Sequence, residues 1–465
     1  MNDPQNIEKR PVNPRRKQRS QAQIFKESYL PIIIAGAAIL LIFVFIIGSI
    51  VRGVQRNKVN TQASYEASVS EAAQQALWQQ EAAAILKSAE IHASHFDYDK
   101  AVAVIDNFSG DITKFPALQQ NRQDYTQAKA QLIQWKNPAS IPNLSFQLLI
   151  ENPTQAFSDR SYSVSYNKNF ITTDEFYMII EQLYDNDYIL VSLSDIESGS
   201  IYLPSNKKPL VITQTQVNYY TYMIDSDGDK LPDKGCAGFA SRLLLDANGN
   251  ITCEMVDSTG QTVTGPFDLV PILDAFTETH PDFSYKGAKA VLALTGYDGL
   301  FGYRTNPEAK SFFGDTYYEQ ACKDAAEIAK VLRNTGYELA CYTYENVAYG
   351  TYSPEQIRAD LTKWKTEVTP ILGDVDTFVF ARNSDISADT DPYSGDKYAE
   401  LQEFGFTKFL GFSTNGSPWY TPMDGQFRQG RILVTGSNLA YHKDWFTGLF
   451  DPSSVLDSIR GTIPS

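Results

Sequence analysis

Cysteine is scarce in this chain, with 4 residues among 465. This low content excludes a fold held together mainly by disulfide bonds. Cys236 and Cys253 flank a predicted hairpin at unequal distances from its turn, so they should not face each other closely enough to form a bridge. Cys322 lies near a predicted helix start and Cys341 at the end of the next strand, which leaves one disulfide between them as an open alternative.

Histidine is equally scarce, also with 4 residues. His92 and His95 are three positions apart on a predicted helix, a spacing at which both rings could bind one metal ion. No third ligand follows nearby in the sequence, so we interpret the two residues as surface histidines.

Charge is unevenly distributed along the chain, whose net charge is -15. Residues 1–58 contain ten Lys and Arg against three Asp and Glu, so the rest of the chain carries all of the acidic excess. The two parts should therefore face different surroundings. With 43% hydrophobic and 12% aromatic residues, a chain of this length can bury a full-sized core and should contain more than one domain.

Residues 31–51 contain no charged side chain and one polar side chain, that of Ser49. About 20 such residues cross a bilayer, so this run predicts a transmembrane helix in contact with lipid. Seven basic residues precede the run and three follow it closely, which places a basic tail, residues 1–30, in the cytoplasm and residues 52–465 outside the cell. The run exceeds the apolar part of a cleaved signal, so we interpret it as an uncleaved single-pass anchor in the cell membrane.

Residues 52–138 predict a small α-helical stalk outside the membrane. The segment is rich in Ala, Gln and Ser from residue 59 onward, a composition that favours helix. Apolar residues at helical spacing indicate three amphipathic helices, with breaks at residues 95–97 and 107–111. Pro138 and Pro142 then mark a linker, and the distal domain, residues 139–465, begins there.

The distal domain is organised around residues 207–220. An apolar β-branched run, entered through Pro209 and followed by polar residues, predicts a buried strand with residues 213–218 at its C-terminal end. Together with segments at 280–288, 293–305 and 337–341, this run resembles the polysaccharide deacetylases, the NodB-type members of carbohydrate esterase family 4. The resemblance covers roughly residues 140–465 and implies an α/β fold, a distorted (β/α) barrel with its site at the C-terminal ends of the strands.

The positions that carry the chemistry of that family hold different residues in this sequence. The first family motif reads Thr-Phe-Asp-Asp and supplies a general base and a metal ligand, and Thr215 and Gln216 stand at those two places. The second motif supplies two metal-binding histidines, and Tyr342 and Asn346 stand there instead. Residues 142–147 likewise lack two further histidines, and residues 380–385 lack the family's Pro-x-Gly.

Side-chain chemistry explains why these replacements matter together. A divalent ion gains affinity from carboxylates and neutral imidazoles, whereas Gln216, Tyr342 and Asn346 offer amides and a phenol that ionises near pH 10. The hydroxyl in the base position has no pKa near neutrality and cannot activate water. Glu345 and Asp385 are the nearby carboxylates that could substitute. We therefore expect no catalytic residues and no catalytic zinc.

Residues 225–233 form a second motif that could hold a metal ion. Asp225, Asp227, Asp229 and Asp233 are spaced around a glycine in a way that resembles the calcium loops of thrombospondin type 3 repeats. The motif differs from an EF-hand, because Lys230 occupies the position of the required glycine and no glutamate follows at the twelfth position. It predicts calcium binding, with a solvated acidic turn as the alternative.

Two classes of function follow from these observations. The first is a membrane-anchored cell-surface protein, catalytically inactive, whose barrel binds or organises cell-wall polysaccharide or peptidoglycan. The second is an active deacetylase that hydrolyses N-acetylated cell-wall polysaccharide. A structural role in the envelope is a third alternative, and no nucleic-acid partner is expected. The predicted ligand pocket is aromatic and basic, which suits sugar rings, and consists of Tyr219, Tyr220, Arg304, Tyr344, Arg382 and Trp419.

Overall fold

The computed structural model describes residues 59–158 and 162–464. The predicted cytoplasmic tail, residues 1–30, and the predicted transmembrane helix, residues 31–51, lie outside these ranges. Within the described ranges, no helix combines the length and the apolar character needed to cross a bilayer. The described chain divides into two compact units, one formed by residues 59–87 and 107–119 and the other by residues 88–106, 120–158 and 162–464.

The first unit is helical, with a loop packed on a long helix. Phe108 and Phe115 pack edge to face, with ring centroids 4.7 Å apart. The backbone N–H of Ser109 donates to Oε1 of Glu81 at 3.0 Å. A Cβ at Gly110 would come within 2.8 Å of the Phe108 ring, so the close packing of this ring against the loop backbone requires glycine at position 110.

The helices of the chain confirm the two predicted breaks, since the first three helices end and begin around residues 95–97 and 107–115. The described α-helices are α1 Val59–Ser94, α2 Tyr98–Asp106, α3 Pro116–Ala130, α4 Pro153–Ser158, α5 Ser163–Asn169, α6 Thr173–Asp185, α7 Leu193–Ser198, α8 Thr221–Ile224, α9 Leu269–Thr279, α10 Glu308–Phe313, α11 Asp315–Asn334, α12 Pro354–Lys363, α13 Thr369–Leu372, α14 Asp396–Glu403, α15 Gly436–Tyr441 and α16 Pro452–Val455.

The second unit contains the strands of the described chain. They are β1 Ile133–Gln134, β2 Asn143–Phe146, β3 Tyr188–Leu190, β4 Tyr202–Leu203, β5 Lys208–Thr215, β6 Arg242–Leu245, β7 Ile251–Val256, β8 Thr262–Gly265, β9 Ala290–Leu294, β10 Glu338–Cys341, β11 Thr377–Val379, β12 Lys408–Phe412, β13 Tyr420–Met423 and β14 Gln426–Leu433. The predicted strand in residues 207–220 is confirmed as β5.

Seven parallel strands close into a barrel in the order β2, β5, β9, β10, β11, β12, β14 and back to β2. β3 extends the sheet beside the first half of β5, and β13 pairs antiparallel with β14. β6, β7 and β8 form a separate antiparallel sheet, and β1 pairs with β4. The α/β class and the (β/α) barrel predicted from the sequence are therefore confirmed.

The barrel interior changes from apolar to polar along the strands. Its first part is a buried cluster that includes Val211, Val291, Ala340, Val379, Leu410 and Phe427. Further along, Asn143 on β2 donates to Gln429 at 3.1 Å and accepts from Thr213 at 2.8 Å. Arg431 and Ser145 follow on the same strands, so the C-terminal end of the barrel is lined by polar groups.

Helix α6 shows how local sequence and tertiary packing agree. Thr172 accepts from the backbone of Glu175, and the Glu175 side chain accepts from the backbone of Thr172, so the two residues form a capping box at the start of the helix. Phe176, Ile180 and Leu183 recur at helical spacing and are buried against the barrel core.

The four cysteines are free in the structure. The disulfide alternative between Cys322 and Cys341 is therefore not formed. Cys253 faces Leu243 across the hairpin of β6 and β7, which confirms that Cys236 lies out of register with it.

Candidate functional site

A cavity of about 460 Å³ opens at the C-terminal ends of the barrel strands. Its volume lies within the range of small-molecule sites. It is lined by the ends of β2, β5 and β14, by the segments after β10 and β11, and by residues near α5: Ser145, Phe146, Gln147, Ser165, Asn169, Phe170, Thr215, Gln216, Tyr222, Tyr342, Asn346, Arg382, Asn383, Arg431, Leu433 and Thr435.

The four positions identified from the family motifs all line this cavity. Thr215 ends β5 and Gln216 follows it, while Tyr342 directly follows β10 and Asn346 lies in the next loop. Parallel strands bring their C-terminal ends to the same face of a barrel, so residues far apart in sequence converge there.

The backbone at the cavity wall is strained in several places. Gln216, Asn346, Arg382 and Asn383 have φ values of 63°, 52°, 53° and 51°, in the left-handed region that non-glycine residues rarely adopt. The backbone N–H of Gln216 donates to the carbonyl of Ala293 at 2.8 Å, which holds one of these turns in place. Such clusters of unusual backbone are typical of ligand sites.

The catalytic metal that the resemblance implies does not fit this set of side chains. Among the described residues that line the cavity there is no Asp, Glu, His or Cys. The amides of Gln216 and Asn346 and the phenol of Tyr342 are poor ligands for a transition metal. The guanidinium of Arg431 lines the same cavity and would repel a dication.

Both carboxylates considered as substitutes have cationic partners away from the cavity lining. Glu345 is exposed and forms an ion pair with Lys363. The side chain of Asp385 is 6% exposed and accepts from Arg428 at 3.0 Å and from Tyr393 at 2.7 Å. Burial raises the pKa of Asp385, and the adjacent Arg428 lowers it in part. Neither carboxylate is among the described residues that line the cavity.

Of the predicted pocket residues, Arg382 lines the cavity. It is exposed, and its Nε donates to the carbonyl of Asn346 at 2.6 Å. Tyr344 is buried and donates its hydroxyl to Glu367. Trp419 packs closely against Gly430 on the outer face of β14. A Cβ added to Gly430 would lie 2.1 Å from Nε1 of Trp419. Tyr344 and Trp419 are not part of the cavity lining.

The other three predicted pocket residues lie in the core beside the cavity. Tyr219 is 1% exposed and donates its hydroxyl to Asp268 at 2.6 Å, while the hydroxyls of Tyr220 and Thr295 are 2.9 Å apart. Arg304 is buried and donates to the carbonyl of Tyr219 at 2.7 Å. Burial raises the pKa of Asp268, and its hydrogen-bond donors lower it in part. These residues support the loop after β5, and a contact with a glycan stays a prediction.

Sequence reasoning did not identify several residues of the cavity, above all Arg431 and Tyr222. A signal for Arg431 exists, because a cation in the middle of a strand-like segment is unusual. Tyr222 belongs to the same tyrosine cluster as the predicted Tyr220, and their rings stack with centroids 5.7 Å apart. Only Tyr222 of this pair lines the cavity.

The acidic loop brings three of its four predicted ligands together. Carboxylate oxygens of Asp225, Asp227 and Asp229 all lie within 4.8 Å of one another. Asp233 instead accepts from the backbone and the hydroxyl of Ser226. Asp225, Asp227 and Asp229 also accept backbone N–H groups of the loop, as a turn without an ion would do. Calcium binding at this loop stays a prediction.

The fold and the cavity define an α/β-barrel protein with a ligand-sized site at the ends of its strands. No protein-family model and no curated protein matches the sequence. Among solved structures, the Streptococcus pyogenes deacetylase PplD in complex with acetate is similar to this chain at 11% identity and a TM-score of 0.36. The similarity covers 64% of this chain and 93% of that chain.

Proposed function

We propose that the barrel is a deacetylase-like module that binds or scaffolds cell-wall polysaccharide or peptidoglycan without hydrolysing it. The observation that supports this proposal is the composition of the cavity. It lies at the ligand-binding end of a (β/α) barrel, and its described lining contains neither a general base nor a set of metal ligands. A site of this kind can bind a ligand and leave its bonds intact.

The remaining side chains of the cavity suit a sugar. Serine, threonine, asparagine and glutamine side chains of the lining can exchange hydrogen bonds with sugar hydroxyls. Tyr222 offers an aromatic face for the apolar side of a sugar ring. Tyr222 is 43% exposed, so its ring is accessible to a ligand that enters the cavity.

The test incubates the full-length protein with insoluble N-acetylated cell-wall polysaccharide and measures the protein retained on the polymer. We expect retention, and we expect Tyr222→Ala to weaken it roughly threefold to tenfold, because one aromatic contact is lost. Tyr317→Ala is the matched control, since Tyr317 is an exposed tyrosine that does not line the cavity. Equal retention of both variants would contradict the proposed site, and acetate released by the parent protein would favour the active deacetylase.

We also propose that residues 31–51 anchor the protein in the cell membrane, with the barrel outside. The uncharged run and the seven-to-three asymmetry of flanking basic residues support this orientation. Protease added to intact cells should degrade the barrel and spare a tag at residue 1. A protected barrel with an accessible N-terminal tag would reverse the orientation.

A further inference from the structure

Arg431 carries a buried positive charge that faces the cavity. The residue is 1% exposed and lies on β14. Its guanidinium donates to the carbonyl of Gly411 at 2.8 Å, to the hydroxyl of Ser145 at 3.1 Å and to the carbonyl of Phe380 at 2.8 Å. All three acceptors are neutral. Burial lowers the pKa of Arg431, and the neighbouring Tyr342 and Asp385 raise it in part.

Arg431 differs in this respect from the other buried cations of the described chain. Each of the other buried cations has a carboxylate within ion-pair distance. The pairs are Arg304 with Asp298 at 3.5 Å, Arg428 with Asp385 at 3.0 Å, Arg460 with Glu175 at 2.5 Å, and Lys408 with Asp376 at 2.5 Å and Glu197 at 3.3 Å. Arg431 forms no ion pair with a described carboxylate. A cation taken out of water without a counter-charge is costly, so its cavity favours an anion.

Asp385 does not neutralise Arg431, because successive side chains of a strand point to opposite faces. Arg428 lies on the outer face of β14 and holds Asp385 there, while Gln429 and Arg431 face the interior. The guanidinium of Arg428 also stacks over the ring of Tyr393, with its central carbon 3.9 Å from the ring centroid. The charges of Arg428 and Asp385 thus compensate each other on the outer face, and the charge of Arg431 has no counter-charge on the inner face.

A second observation shows what else the ligand should carry. Oδ1 of Asn346 is buried and has no hydrogen-bond partner among the described residues. Asn346 lines the same cavity as Arg431. This oxygen accepts hydrogen bonds only, so its natural partner is a hydroxyl or an N–H of the ligand. The cavity is therefore bordered by a buried cation and by a residue with an unpartnered acceptor, with hydroxyl and amide groups around them.

We infer that the cavity binds an acidic sugar through its carboxylate. Hydrogen bonds to Gly411, Ser145 and Phe380 use three of the five N–H groups of Arg431, and Tyr342 lies within reach of a fourth, so at least one N–H remains to donate to a carboxylate. A single uncompensated charge matches a monoanion, and the exposed Arg382 adds a second cation at the cavity wall. The sugar hydroxyls then meet Asn346 and its polar neighbours. This inference rests on the proposed glycan-binding function and specifies the class of glycan.

The test compares two ligands of similar size by titration calorimetry with the full-length protein. Methyl glucuronide carries the carboxylate, and methyl glucoside carries a hydroxymethyl group in its place. We expect the glucuronide to bind at least about tenfold more tightly, since hydrogen bonds to charged groups are the stronger ones. Arg431→Gln should abolish this preference. Arg382→Gln changes an exposed residue that packs into no core, and it should weaken the glucuronide alone by a few-fold.

Competition with simple anions identifies the recognised group. Acetate should displace the glucuronide more effectively than inorganic phosphate at equal ionic strength, and the reverse order would overturn the assignment to a carboxylate. If Arg431→Gln fails to fold, as seen by circular dichroism, the parent protein and Arg382→Gln decide the question.

The outcomes for this inference and for the proposed function can be told apart. Equal affinity for the two sugars, or no binding of either, would overturn the inference. Equal affinity would still leave a glycan-binding protein. Tight glucuronide binding without retention on cell-wall polysaccharide would support the inference and contradict the cell-wall ligand.

Discussion

The full-length protein should release no acetate from N-acetylated chito-oligosaccharides and should purify without a stoichiometric transition metal. A positioned general base contributes about 10²- to 10⁴-fold to a rate, and Thr215 cannot act as one. A zinc ion lowers the pKa of bound water to about 7, but Gln216, Tyr342 and Asn346 provide neither a carboxylate nor an imidazole to hold the ion. The buried charge of Arg431 further opposes a dication in the same cavity.

Two measurements check this prediction. Metal analysis of the purified protein gives the zinc content, and an acetate assay with and without added zinc gives the turnover. A zinc-dependent deacetylase in the same assay is the positive control. One equivalent of bound zinc, together with turnover that a chelator abolishes, would show that the protein is an active deacetylase with a different set of ligands.

Replacement of Glu175 by Gln should lower the free energy of unfolding by about 3 to 5 kcal/mol, the cost of breaking a buried ion pair from one side. Both carboxylate oxygens of Glu175 accept from Arg460 at 2.5 Å, and the two side chains are 0% and 1% exposed. Glu175 also accepts from the backbone N–H groups of Thr172 and Asp457. Glu175→Gln removes the counter-charge of a guanidinium that has no access to water.

Denaturant unfolding followed by circular dichroism measures this effect. The matched control is Glu327→Gln, which breaks an exposed pair with Lys330, at 3.1 Å with side chains 53% and 66% exposed. Surface pairs contribute about 0 to 1 kcal/mol, so the control should unfold almost like the parent protein. A loss below about 1 kcal/mol for Glu175→Gln would show that the pair is not a main support of the fold.

Sequence reasoning succeeded where the signal is local. The β-branched run that became β5 and the three N-terminal helices follow from side-chain periodicity over a few residues. The α/β barrel and the convergence of Thr215, Gln216, Tyr342 and Asn346 on one cavity were implied by the resemblance of several segments to the polysaccharide deacetylases. Parallel strands with ordered connections leave few ways to arrange their C-terminal ends. The convergence of residues at these ends could therefore be predicted before the structure was known.

Sequence reasoning was less informative about side chains that follow a strand end. Tyr219 was predicted to face a ligand, and it lies in the core with its hydroxyl on Asp268. Tyr219 has a φ of 50° and Gln216 a φ of 63°, and both values turn the chain sharply. The alternation of polar and apolar residues in the sequence does not predict such turns. The direction of a side chain after such a turn depends on the contacts that hold the turn.

The sequence by itself determined the elements whose interactions span a few residues, such as the capping box from Thr172 to Glu175. Only the tertiary structure decided which charges are paired. It brings Arg460 to Glu175 across 285 residues, and it buries Arg431 among neutral acceptors at the cavity. The physical reason is that the energy of a charge depends on its distance from other charges and from water, and both distances are fixed only when the barrel closes.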